Sequence, residues 1–178
     1  MNLYVPNNYF KLYSNITQSN QTLRILKLYT TKDDIITDAT SGIGGNSVVF
    51  SKYYKSVNCV EIDYKAYSIL NRNLKLSNNI KFYNNNYLDV GLKIVQDVIF
   101  IDPPWERGYK RDPSTNLYLS TIPIINIIDK LSGLCKIVAL KCPMNYNVIF
   151  KNWEYTTHYI YNGRRVVYKI IILEKFSR

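Results

Sequence analysis

Short apolar runs, each stopping at an acid or an amide, do most to limit what this chain can become. Ile35 and Ile36 lead into Asp38. Val57 to Ile62 carries Glu61, with Asp63 just after it. Ile80 to Tyr83 stops at Asn84, and Val98 to Ile101 stops at Asp102. Runs of this length suit strands better than buried helices. Between the second and third, Ala66, Leu70 and Leu74 recur every four residues beside Tyr67, which is one face of a helix. Alternation of this kind predicts parallel strands joined by right-handed crossovers, with helices on both faces of an α/β doubly wound sheet. A fifth strand is expected over 134–140, stopped by Pro143. Two further β-rich runs, 155–161 and 166–173, are joined by Asn162-Gly163-Arg164-Arg165. Asn-Gly at such a junction signals an antiparallel hairpin, so the sheet should have seven strands.

The remaining segments give weaker expectations. Residues 1–16 read as an arm, and Thr17 or Ser19 could cap a helix over 18–30. Helices are expected over 46–55, over 121–132 with Pro123 in the first turn, and over 145–151. Gly133 stands where a helix end favours positive φ. Residues 106–116 form a polar, basic loop. A chain of 178 residues suits one domain, 1–178, with an arm and helix at 1–30 and a core at 31–178.

Charge narrows the partners. Lys and Arg total 23 against 13 acids, a formal net charge of +10, which points to a polyanion such as nucleic acid. Cys59, Cys135 and Cys142 form no C-x-x-C pair, and His158 is the single histidine, so no zinc set can be assembled. Buried thiols suggest a reducing setting, nuclear or cytoplasmic, in a cell or encoded by a virus. Met1 to Pro6 lacks a basic start and an apolar stretch, and no run is long enough to span a bilayer. No metal, no membrane and a monomer are expected.

Two stretches carry chemistry. The first is Asp38-Ala39-Thr40-Ser41-Gly42-Ile43-Gly44-Gly45-Asn46. In a doubly wound sheet, ligands lie beyond the carboxyl ends of the strands, and these glycines let backbone approach one closely. An acid at the end of the second strand, Glu61, suits ribose hydroxyls. A dinucleotide fingerprint would need glycine at Ser47, and a phosphate loop would need Gly-Lys-Ser/Thr; neither is present. An acid entering the turn at Asp38 suits a cationic amino-acid end, as in S-adenosylmethionine. The plain alternative is a tight turn with a capping acid.

The second stretch is Ile99-Phe100-Ile101-Asp102-Pro103-Pro104-Trp105. A purine exocyclic amine is a poor nucleophile, because its lone pair is delocalised into the ring. Acceptors for its two hydrogens pull the nitrogen towards pyramidal geometry and aim the lone pair. The Asp102 carboxylate and the Pro103 carbonyl can supply them, and prolines fix the direction of that carbonyl. Trp105, expected to be exposed beside the carboxylate, can stack on the base and hold it at attack distance. The alternative is prolines that end a strand and an indole packed on the core.

With these motifs together, the chain resembles the trimethylguanosine synthase family, class I S-adenosylmethionine-dependent methyltransferases that act on the N2 amine of the 7-methylguanosine RNA cap. The first motif, Asp38 to Phe50, is similar to that family's D-A-x-x-G-x-G-G-N-[ST]-x-x-F. P-P-W follows at Pro103-Pro104-Trp105, and Pro-x-Asn at Pro143-Met144-Asn145. The resemblance spans about Asp34 to Leu173. It implies a Rossmann-like seven-stranded methyltransferase fold and S-adenosylmethionine as cofactor. Asp38, Thr40, Gly42, Gly44, Asn46, Glu61, Asp63, Asn86 and Asp102 would hold the cofactor. Asp102, Pro103, Pro104 and Trp105 would be catalytic, and Trp105, Arg107, Lys110 and Asn145 would bind capped RNA. The chain departs from the pattern at Asn86, where an acid is usual, at Met144, where a basic residue grips the cap phosphates, and in its short arm. An adenine-N6 methyltransferase, with the same D-P-P-W chemistry, and a non-catalytic RNA-binding subunit remain alternatives.

Overall fold

The computed structural model of the protein describes residues 3–9, 13–105 and 116–175. A 3-10 turn at Asn7–Tyr9 precedes α1 (Ile16–Leu26), β1 (Ile35–Asp38), α2 (Ser47–Phe50), β2 (Ser56–Glu61), α3 (Tyr64–Leu74) and β3 (Ile80–Asn84). Then follow α4 (Tyr87–Val90), β4 (Val98–Ile101), β5 (Tyr118–Leu119), β6 (Ile122–Pro123), α5 (Ile124–Lys130), β7 (Ile137–Cys142), β8 (Trp153–Asn162) and β9 (Arg165–Lys175). Seven strands form one sheet in the order β3-β2-β1-β4-β7-β9-β8, while β5 and β6 make a separate small ribbon. The first five strands of that order are parallel, and β9 runs antiparallel to both β7 and β8. Strand order reverses between β1 and β4, which opens a crevice beyond their carboxyl ends. This is a doubly wound, Rossmann-like α/β sheet of seven strands with an antiparallel hairpin at one side.

The two-residue period of a strand splits the core into two layers. Val98 and Phe100 of β4 face Leu26, Phe50 and Leu70 on one side. Ile99 and Ile101 face Ile124, Ile128 and Leu140 on the other. Every residue of β4 and β7 is buried, as expected of central parallel strands. At the amino edge, Asp97 Oδ2 accepts the Ile35 N–H at 2.9 Å. Lys136 Nζ lies 2.9 Å from both Asp34 and Asp97, pinning the starts of β1, β4 and β7 together. Burial raises the Asp34 pKa, but the Thr31 N–H and Lys136 outweigh it and hold that carboxyl below its ordinary value.

Several local expectations need correction. The first helix starts at Ile16, because the Asn15 side chain accepts the Gln18 N–H and caps it; Thr17 and Ser19 lie inside the helix. The helix after the glycine turn keeps only Ser47–Phe50 before turns begin. Pro123 is not in a first helical turn: it closes the β5–β6 ribbon, turned at Ser120 with φ 56°, and stands at the N-cap of α5. Gly133 has no positive φ; the described glycines that do are Gly42, Gly44 and Gly163. The fifth parallel strand runs three residues later than expected at its start and ends at Cys142, which brings Lys141 into the sheet. No helix forms over 145–151, where Tyr146 and Phe150 are instead buried from a turn and an irregular segment. The hairpin turns on Gly163-Arg164, with Asn162 paired to Arg165 and positive φ at Gly163 alone, so Asn162 is the last strand residue and not a turn centre.

Candidate active site

The site is built where β1, β2, β4 and β7 end. After Asp38 the chain turns through Gly42 (φ 53°) and Gly44 (φ 97°), both in the left-handed region. A side chain on Gly42 would meet nothing within 4 Å, so the backbone here borders open space. One on Gly45 would collide with the Ser14 carbonyl oxygen, so the segment before α1 is laid directly on the turn. Glu61 fixes the turn from the next strand. Its Oε2 accepts the Gly42 N–H at 2.7 Å and its Oε1 accepts the Asp63 N–H at 2.8 Å. Burial raises the Glu61 pKa, against the pull of those N–H groups.

Asp38 is buried beneath the turn. Its Oδ2 accepts the Ser47 hydroxyl at 2.6 Å, and its Oδ1, with the Thr40 N–H nearby, makes no well-formed hydrogen bond among the described residues. Burial pushes its pKa up to about 7; the Ser47 hydroxyl and the Thr40 N–H oppose this, and the negative charges of Asp102 and Glu61 add to it. Asn46 Nδ2 donates to Ser14 Oγ at 3.3 Å, while the buried Asn46 Oδ1 also lacks a partner among the described residues. Two unsatisfied acceptors at one turn are costly unless a donor-rich group meets them. An ammonium-bearing ligand fits that requirement.

Asp102 is tied to the same turn, its N–H donating to Thr40 Oγ1 at 2.8 Å. Its carboxylate has a partner that sequence reasoning missed. Lys141 Nζ from β7 lies 2.6 Å from Asp102 Oδ2 and 2.8 Å from Ser14 Oγ. The same ammonium stands 4.5 Å from the Tyr168 ring centroid and 5.6 Å from that of Trp105. The clue was a lysine in an otherwise apolar run, Ile137–Cys142, but a strand ending at Leu140 would have left it in a loop. Pro103 is buried and Pro104 exposed. Trp105 is half-buried, meeting Tyr168 edge-to-face at 6.1 Å and packing on both core layers. The indole is therefore anchored by the carboxyl edge rather than openly exposed, because Tyr168 of β9 rises beside it.

Other expected site residues divide three ways. Asp63 and Asn86 spend side-chain oxygens on helix caps, accepting the Ala66 N–H at 2.7 Å and the Leu88 N–H at 3.1 Å. Asn86 Nδ2 also donates to Ser120 Oγ at 3.1 Å. Asn145 is half-buried in the turn after β7, where the Tyr146 N–H reaches the Pro143 carbonyl, and Met144 beside it is exposed. Arg107 and Lys110, with Arg111, lie outside the described residues. His158 is paired with the Tyr29 hydroxyl at 2.7 Å, and burial lowers its pKa. Among the described residues no cluster of three or more metal-ligating side chains occurs, and no helix is long and apolar enough to cross a membrane.

Comparison with known proteins bears on this arrangement. The family model described as RNA cap guanine-N2 methyltransferase matches residues 33–174. An uncharacterized protein of Acanthamoeba polyphaga mimivirus is 36% identical over 121 residues, covering 64% of this chain and 47% of its own. An uncharacterized RNA methyltransferase of Lactobacillus johnsonii is 29% identical over 141 residues, covering 70% of this chain and 31% of its own. The chain thus spans less than half the length of either relative. Among solved structures, an rRNA methylase from Streptococcus thermophilus superposes with TM-score 0.62 at 14% identity, covering 88% of this chain and 95% of that one. TYW2 of M. jannaschii, solved with AdoMet, gives 0.57 at 18% identity, covering 90% of this chain and 76% of that one. Those likenesses extend the fold, while the family match spans both motifs, the glycine turn and D-P-P-W: the chain belongs to the RNA cap guanine-N2 methyltransferase family, within the class I S-adenosylmethionine-dependent methyltransferases.

Proposed function

We propose that this protein methylates the exocyclic N2 amine of the 7-methylguanosine cap of RNA. The observation that carries the reading is the Asp102–Thr40 hydrogen bond, 2.8 Å, which locks the D-P-P-W turn to the glycine turn. A donor bound at one is then held in fixed relation to an amine bound at the other. Asp38, Asn46 and the Gly42–Gly44 backbone would hold the amino-acid end of S-adenosylmethionine, and Glu61 its ribose. Asp63 and Asn86 would contribute through the helix N-termini that they cap. The cofactor supplies an activated methyl group on a sulfonium.

On the substrate side, the Asp102 carboxylate and the Pro103 carbonyl accept hydrogen bonds from the amine and direct its lone pair. Trp105 would stack on the base and Asn145 would bind the capped end, with Arg107 and Lys110, outside the described residues, as candidates for the cap phosphates. A base with an N7 methyl carries positive charge, and stacking it on an indole is worth about 1 kcal/mol or more. One observation bears on a second reading, an adenine-N6 target: the Lys141 ammonium is 5.6 Å from the Trp105 ring, and it disfavours a cationic base there to the extent that Asp102, 2.6 Å away, leaves its charge unbalanced. Incubation with labelled donor decides between them. Methyl incorporation at N2 of 7-methylguanosine-capped RNA, with unmethylated caps poor, supports the cap reading. Incorporation into uncapped adenine-containing oligonucleotides, with both caps inert, overturns it.

A further inference from the structure

The β8–β9 hairpin does not stop where the sheet stops. Cys142, the last residue of β7, pairs with Lys169, yet β9 begins at Arg165 and β8 ends at Asn162. The hairpin tip therefore overhangs the carboxyl edge, on the side of the glycine turn and D-P-P-W. Its position is fixed, because Gln21 of α1 holds both backbone groups of Tyr161: Nε2 donates to the carbonyl at 2.8 Å and Oε1 accepts the N–H at 2.9 Å.

Charge along the hairpin is sorted. At the amino end Glu154 pairs directly with Glu174, beside Lys175. At the overhanging tip stand Arg164, Arg165 and exposed Tyr161 (44%), while Lys169 and exposed Tyr159 (47%) lie at its base, level with the last residue of β7. Lys169 is the telling residue. It is buried at 7% exposure, its Nζ has the neutral Asn147 Oδ1 at 3.4 Å, and no carboxylate pairs with it among the described residues. It lies directly across from Tyr159. Lysines that protect an edge strand from aggregation stand on the edge. Lys169 is on β9, paired on both sides, so that explanation does not reach it. Cations beside exposed tyrosines, rising over a nucleotide site, match the requirements of a single-stranded RNA chain, whose phosphates need cations and whose bases stack on rings.

We propose that the carboxyl-edge end of the hairpin, with Tyr161, Arg164 and Arg165 at its overhanging tip, Tyr159 at its base and the buried Lys169 charge behind Tyr159, is a docking surface for the single-stranded RNA chain beyond the methylated nucleotide. The proposal rests on the RNA-substrate reading but not on which amine reacts. Anisotropy of a labelled, uncapped 12-nucleotide RNA with the full chain, without donor, over 50–300 mM salt, tests it. Arg164→Gln/Arg165→Gln should weaken binding roughly tenfold at low salt and lower the salt slope by about 1.4, as loss of two single-strand phosphate contacts would. Tyr159→Ala should weaken it at least fivefold, and Lys169→Met at least threefold with an unchanged melting temperature. Lys32→Gln/Lys55→Gln removes the same charge near the amino edge and should change affinity less than twofold. Equal losses from the two double variants would reduce the effect to net charge and overturn the proposal. So would unchanged binding in the hairpin variants, or wild-type protein that fails to bind. Because the probe has no cap and nothing is transferred, a failed cap assay leaves this result standing, and the converse holds.

Discussion

On the proposed reading, Asp38 is the residue on which donor binding turns. Its ordinary carboxyl pKa is 3.8, and burial raises it to about 7 in the folded protein. The sign follows from proton counting. Between these values the folded state holds a proton that the unfolded state has released, so stability falls as pH rises from about 4 to 7, by roughly 4 kcal/mol at most. A ligand ammonium prefers the ionised form. Affinity for S-adenosylhomocysteine should therefore rise with pH and level off above about 7, and Asp38→Asn should bind weakly with a flat profile; titration calorimetry at several pH values reads both. Lys141 acts through Asp102, from which it is 2.6 Å away. Lys141→Met should lower kcat about 10- to 100-fold with little change in donor affinity. If it acts only through that carboxylate, Asp102→Asn/Lys141→Met should be no slower than Asp102→Asn alone. Additive losses in single-turnover rates would assign Lys141 a separate role.

At the scale of elements, the segment before α1 matters more than its length suggests. Ser14 bonds Lys141 and Asn46, and its carbonyl roofs Gly45, so β7, the glycine turn and α1 meet at one residue. Gly45→Ala should push the segment away and weaken donor binding along with stability. Asn15→Ala removes the α1 cap, which costs about 1 kcal/mol and should lower the melting temperature by about 2–4 °C. The strands themselves were legible in the sequence, because buried parallel strands read as uninterrupted apolar runs: Val98 to Ile101 is the clearest case. The glycine turn and D-P-P-W were legible as local chemistry. Lys141 was not, since its partners Asp102 and Ser14 are 39 and 127 residues away and no local pattern announces such a pairing. The helix over 145–151 failed for a related reason: Tyr146 and Phe150 mimic helical spacing but are buried by the sheet, not by a helix of their own.

For the whole molecule, the sheet divides labour between its edges. Lys136, Asp34 and Asp97 tie three strand starts at one edge, while at the other edge one oxygen each of the Asp38 carboxylate and the Asn46 amide is left unmet among the described residues. A ligand that satisfies those acceptors should stabilise the entire fold. S-adenosylhomocysteine at a hundred times its Kd adds about 2.7 kcal/mol, which should raise the melting temperature by roughly 5–10 °C in differential scanning calorimetry. No rise at that concentration would mean that the turn does not hold this ligand.

Strand β9 carries the chain from the carboxyl rim of the parallel strands back to the opposite rim, where Glu174 lies beside Ile137. A fluorophore or affinity handle attached just after Lys175 would hang on the rear of the molecule. A surface decorated through that point would present the crevice outward.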